Sequence, residues 1–158
     1  MLATIFGRFD RLNMYGLPGM IAASAVLLWV RYFLAAPYWA SGWTKWSQFP
    51  VKINSSAKYL FTEEYRLHIF GAEIPFPAPE LLAYFAGLGE VILPVFLMFG
   101  LFSRFAALGL LGMTLVIQLV YPGAWMIHGS WALAALCIVF VGPGLFSADA
   151  GVRKLLKI

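Results

Sequence analysis

The stretch "AGLGEVILPVF", residues 86–96, holds ten residues that are apolar, glycine or proline, and one carboxylate, Glu90, at its middle. It belongs to an apolar run over residues 79–101. At about 1.5 Å per residue a helix of that length crosses a hydrocarbon core of about 30 Å. Three more runs of the same kind follow from the same reading, at residues 18–42, 104–121 and 125–146. The connections between the second and third runs and between the third and fourth are very short, so those helices are expected to be antiparallel neighbours. The sequence therefore predicts an all-α integral membrane four-helix bundle. It reads as a single membrane domain over residues 1–158, with no internal repeat.

Composition agrees. Of the 158 residues, 62% are hydrophobic and 11% charged, with a mean hydropathy of +0.83. Soluble domains average about a quarter charged residues, and a chain this small cannot bury so much apolar surface in itself. The partner that composition demands is a lipid bilayer. The net charge of +4 comes without a basic run. That argues against nucleic acid, and the basic residues fall mostly at the ends of apolar runs, where they act as topology signals and headgroup contacts. One cysteine, Cys137, excludes an internal disulfide and a C-x-x-C redox pair. The first apolar run is too long for the core of a cleavable signal and is expected to stay as a membrane helix.

The positive-inside rule sets the orientation. Arg8, Arg11, Arg104, Arg153, Lys154 and Lys157 collect at one side, and Lys45, Lys52, Lys58 and Arg66 all lie in the one long loop, residues 43–78. Both termini are therefore expected in the cytoplasm and the loop outside. Residues 2–12 place Leu2, Ile5, Phe6, Phe9 and Leu12 on one helical face, as in a short interfacial helix. In the loop, Asn54 or Ser55 is expected to cap a short helix, "IPFPAPE" to run extended, and Pro79 to open the second span. Tyr38, Trp39, Trp43 and Trp46, with Tyr121 and Trp125, sit where aromatic belts meet the membrane surface.

Two charges stand inside the spans. Arg31 lies about 12 residues, roughly 18 Å, from the loop end of span one, and Glu90 about 11 residues, roughly 16 Å, from the loop end of span two. A lone charge at such depth is expensive. The expectation is a salt bridge between Arg31 and Glu90. Two roles stay open for it: a structural lock between helices, or a catalytic pair in a polar cavity. Arg31, Tyr38 and Lys45 recur at seven-residue spacing and share a stripe. Lys45, Tyr38, Trp43, Gln118, Tyr121 and His128 converge on the loop side and form the candidate ligand-binding set. Simple interhelical hydrogen bonding is the competing reading of the same residues. Met126 and His128 make an M-x-H that a soft copper ion could use, a weak motif. The sequence contains no haem, zinc, nucleotide or hydrolase motif.

Three further stretches carry a resemblance. "SGWTKW" (41–46), "GLGEVILPVFLMFGLFSRFAALGLLGM" (87–113) and "GPGLFSAD" (142–149) occur in order along the spans. Together they resemble the DoxX family, whose signature is a glutamate in span two, a glycine ending that span and an arginine opening the next: here Glu90, Gly100 and Arg104. The resemblance implies a multi-pass protein of the bacterial inner (plasma) membrane that serves redox or thiol-stress systems, with quinone as a carrier in some members and copper handling near others. A protein partner or a homo-oligomer follows from the same resemblance. The chain departs from a redox-active type in its single cysteine and its lack of cofactor ligands. As an isolated chain it does not read as an enzyme; in a complex it reads as a subunit of a quinone-linked oxidoreductase. The alternatives are an accessory protein in copper or oxidative-stress handling and, ranked last, a small-molecule transporter.

Overall fold

A computed structural model describes residues 16–156; the interfacial helix expected at residues 2–12 lies outside the described residues. Four helices are long and apolar enough to cross a membrane. We label them α1 (Gly16–Thr44), α3 (Pro79–Phe99), α4 (Ser103–Val120) and α5 (Trp125–Val141), the last reaching span length with the 3-10 turn Pro122–Ala124 before it. The all-α bundle expected from sequence is the observed one.

Their contact faces combine alanines with a few large side chains. The central layer joins Leu34, Ala35 and Tyr38 of α1, Leu97 of α3, Ala106, Ala107 and Leu110 of α4, and Ala134, Ala135 and Ile138 of α5. In a bilayer no hydrophobic force drives helix on helix, so close van der Waals approach must do it. Gly42 shows how close. A Cβ added there would lie 2.9 Å from both the carbonyl carbon and the oxygen of Glu90, so α1 rests on the backbone of α3. Along the next seam, a Cβ on Gly109 would lie 2.7 Å from Leu93 and one on Gly89 3.2 Å from the sulfur of Met113.

The fourth span ends at Val141, not at residue 146 as expected. Gly142 and Gly144 both adopt positive φ, which few side chains tolerate, and the intervening Pro143 cannot continue a helix. The chain then folds back onto α1. Gly144 packs on Ser24, whose hydroxyl accepts a hydrogen bond from the Leu145 amide at 3.0 Å. Asp149, opening α6 (Ala148–Leu156), accepts from the amides of Phe102 and Ser103 at 2.8 and 2.9 Å and from the Ser103 hydroxyl at 2.7 Å. Its carboxylate caps the positive end of α4.

Segment 43–78 is more structured than a plain loop. Trp46–Gln48 (β1) pairs with Lys52–Ile53 (β2), and Arg66–Ile69 (β3) pairs with Ala72–Pro75 (β4), both antiparallel. Between them α2 (Ser55–Tyr59) runs into a π-helical turn, Leu60–Glu64. Asn54 caps α2 as expected, its side-chain oxygen accepting from the Ala57 amide at 2.7 Å. This segment packs along the first half of α3, where Ile53, Ala57 and Phe61 bury Ala83, and a Cβ on Gly87 would lie 3.1 Å from Trp46.

Candidate functional site

The expected Arg31–Glu90 pair does not form. Glu90 forms its salt bridge with Lys45 instead. Arg31 donates to the carbonyl of Phe146, and a Cβ on Gly100 would collide with its guanidinium. The reason is stagger. Counting both depths from the loop ends assumes that α1 and α3 start level there. In fact Gly42 faces Glu90 and Arg31 faces Gly100, so α3 runs past the end of α1 and is covered there by segment 43–78. Arg31 and Glu90 are thus separated by the distance from Arg31 to Gly42, 11 residues or roughly 16 Å. Sites that far apart act independently. The stability losses of Arg31→Gln and Glu90→Gln in detergent are therefore expected to add to within about 0.5 kcal/mol in the double variant. A partial rescue in thermal unfolding would restore the direct pair.

Glu90 sits near the middle of α3, and its side chain is 7% exposed; that of Lys45 is 12% exposed. Lys45 follows the last residue of α1, and Gly42, three positions earlier, brings that end of the helix onto Glu90. The ammonium also donates to the Ser41 hydroxyl at 2.9 Å. The ion pair is made through one oxygen of Glu90, Oε2; no hydrogen bond to Oε1 is formed by the described residues.

Both residues line a cavity of about 640 Å³, within the range of small-molecule sites. Tyr38, Tyr121 and His128 line it too. Tyr38 contributes its ring. Its hydroxyl is 2.6 Å from the Thr114 hydroxyl, which already donates to the Leu110 carbonyl at 2.7 Å, so Tyr38 is the donor and is satisfied within the protein. His128 is oriented from behind. Gln118 donates its amide N–H to the Pro122 carbonyl at 2.9 Å, which turns its oxygen toward His128 Nδ1 at 2.8 Å. A neutral His128 therefore carries its proton on Nδ1 and keeps Nε2 as an acceptor. Gln118 thus positions a wall residue without lining the cavity.

Trp43 stands apart, packed edge-on against Trp39 with ring centroids 5.4 Å apart. Met126 is 84% exposed whereas His128 is buried, so the two do not converge on one metal position. No cluster of three or more His, Cys, Asp or Glu residues suited to a metal ion occurs among the described residues.

Several wall residues had no role in the sequence reading. Phe61, Tyr65 and Phe76 close the cavity from segment 43–78. Burial raises the Tyr65 phenol above its ordinary pKa, and the neighbouring Tyr121 raises it further, so it stays protonated. Phe61, in the π-helical turn, and Tyr65, the extended residue that ends it, pack with ring centroids 5.1 Å apart. Ser41 lies in the last turn of α1, four residues before Lys45.

A family model described as DoxX matches residues 26–129, about two thirds of the chain. The match includes Arg31, Lys45 and Glu90 and every wall of the cavity except Trp131. No curated protein and no solved structure matches the chain.

Proposed function

This chain belongs to the DoxX family, and from that premise we propose that it binds a quinone or quinol in the cavity and serves a redox partner in the bacterial inner membrane. The observation that carries the reading is the buried Lys45–Glu90 pair set in a wall of aromatic and aliphatic side chains. A quinone is a flat apolar ring with two carbonyl oxygens. Rings of Phe61, Tyr65, Phe76 and Trp131 suit its faces. The Lys45 ammonium can donate to a quinone carbonyl and stabilise the anion of a quinol. Glu90, through Oε1, and His128, through Nε2, can take quinol protons. Oxidation of one quinol to quinone releases two protons and two electrons; the protons go to these bases, and the electrons go to a redox group on a partner protein. Reduction runs the same steps backward.

The placement of charge supports an orientation. Arg104, Arg153 and Lys154 lie at the end of the bundle where Asp149 caps α4. By the positive-inside rule that end faces the cytoplasm, together with both termini, and segment 43–78 faces the periplasm. The alternative role in copper handling draws less support, because Met126 is 84% exposed while His128 is buried.

Mass spectrometry of an organic extract of the protein, purified in mild detergent, tests the proposal. An isoprenoid quinone near one per chain is expected. Its reproducible absence, together with no uptake of added quinone, would refute it.

A further inference from the structure

The cavity wall is not equally closed on all sides. Phe61, from segment 43–78, is buried, and Tyr65 packs against Tyr121, itself 49% exposed at the loop end of α4, with ring centroids 5.8 Å apart. On the side facing α3 and α4 the lining residues Phe85 and Val116 are 58% and 45% exposed. Gly112, also in the lining, is exposed as well. All three lie within membrane-spanning helices. The seam between these helices is tight where Leu93 meets Gly109 and where Gly89 meets Met113. At Gly112 it is open: a Cβ added there meets nothing within 4 Å. A glycine in mid-helix costs about 1 kcal/mol relative to alanine, and here no close helix contact requires it.

We propose that the cavity opens sideways into the hydrocarbon phase through a gap bordered by Phe85, Gly112 and Val116. The ligand enters from the bilayer, its polar head reaches Lys45 and Glu90, and its apolar tail stays in the gap. The site therefore selects a membrane-dissolved molecule with an oxygen-bearing head and a long tail. The ligand part of this inference rests on the quinone reading above; the position of the gap does not.

Two measurements separate the parts. The first titrates a benzoquinone with a ten-carbon tail, and a tail-less benzoquinone, into the detergent-solubilised wild type and Gly112→Trp. Gly112→Trp is expected to bind the tailed quinone at least about 10-fold more weakly while changing the tail-less one by less than about 3-fold, roughly 1.4 kcal/mol against 0.7. Equal effects on both quinones, or none on either, would overturn the tail position. The second places a nitroxide at Gly112→Cys, in a Cys137→Ser background, in liposomes. Relaxation by dissolved oxygen is expected to exceed relaxation by a water-soluble nickel chelate, and the opposite ranking would overturn the lateral opening whatever the ligand is. Absence of binding in the wild type would sink the quinone reading and, with it, the tail placement, while the nitroxide result would still decide the gap.

Discussion

Lys45→Met is expected to destabilise the protein by about 3–5 kcal/mol, the cost of leaving one member of a buried ion pair without its partner. Glu90 would then be a carboxylate with no countercharge in a wall of aromatic rings, 7% exposed. Either it keeps its charge at a high cost or it takes up a proton. The companion variant, Lys45→Met with Glu90→Gln, removes both charges and is expected to recover most of the loss, because replacing a buried pair as a unit is far cheaper than halving it. Thermal unfolding in detergent measures both. If the double variant were no more stable than Lys45→Met, the pair would not be the unit described here. The double variant also separates fold from function: it is expected to be folded and unable to bind quinone.

Gly42→Leu is the second large effect. The first carbon of any side chain at this position lies 2.9 Å from the Glu90 backbone and from Val91 Cγ2. Backbone cannot yield as a side chain can, so the helices must separate. Overpacking typically costs 1–3 kcal/mol, and with three further carbons behind the first the expected loss is about 3 kcal/mol or more. The same separation would draw Lys45 away from Glu90, so quinone binding should fall as well. Gly112→Ala is the control, since its added carbon meets nothing within 4 Å. A Gly42→Leu protein as stable as the wild type would contradict the close crossing of α1 and α3.

The spans were legible because hydropathy marks them directly; their ends were found within a few residues, except where Gly142 and Gly144 stop the fourth. Stagger was not legible. Apolar runs show that α1 and α3 cross the membrane, but not how far one runs past the other. That displacement moved Glu90 from Arg31 to Lys45. A signal for it existed in "SGWTKW": a glycine three residues before a lysine brings that lysine's backbone close to the neighbouring helix. The true partner of Arg31 had no signal, since it is the backbone carbonyl of Phe146, which any residue could supply. The cavity was half legible. Tyr38 and Lys45 follow from helical spacing, Glu90 from its depth in an apolar span, and Tyr121 and His128 from their place at the loop side, whereas Phe61, Tyr65 and Phe76 depend on how segment 43–78 folds back along α3.

Quinone titration monitored by tryptophan fluorescence tests the central claim most directly, because Trp131 lines the cavity and a bound quinone would quench it. The wild type should show saturable quenching, and the folded Lys45→Met, Glu90→Gln double variant should show none beyond the non-specific background. Equal quenching in the two proteins would contradict the claim that the buried pair holds the ligand.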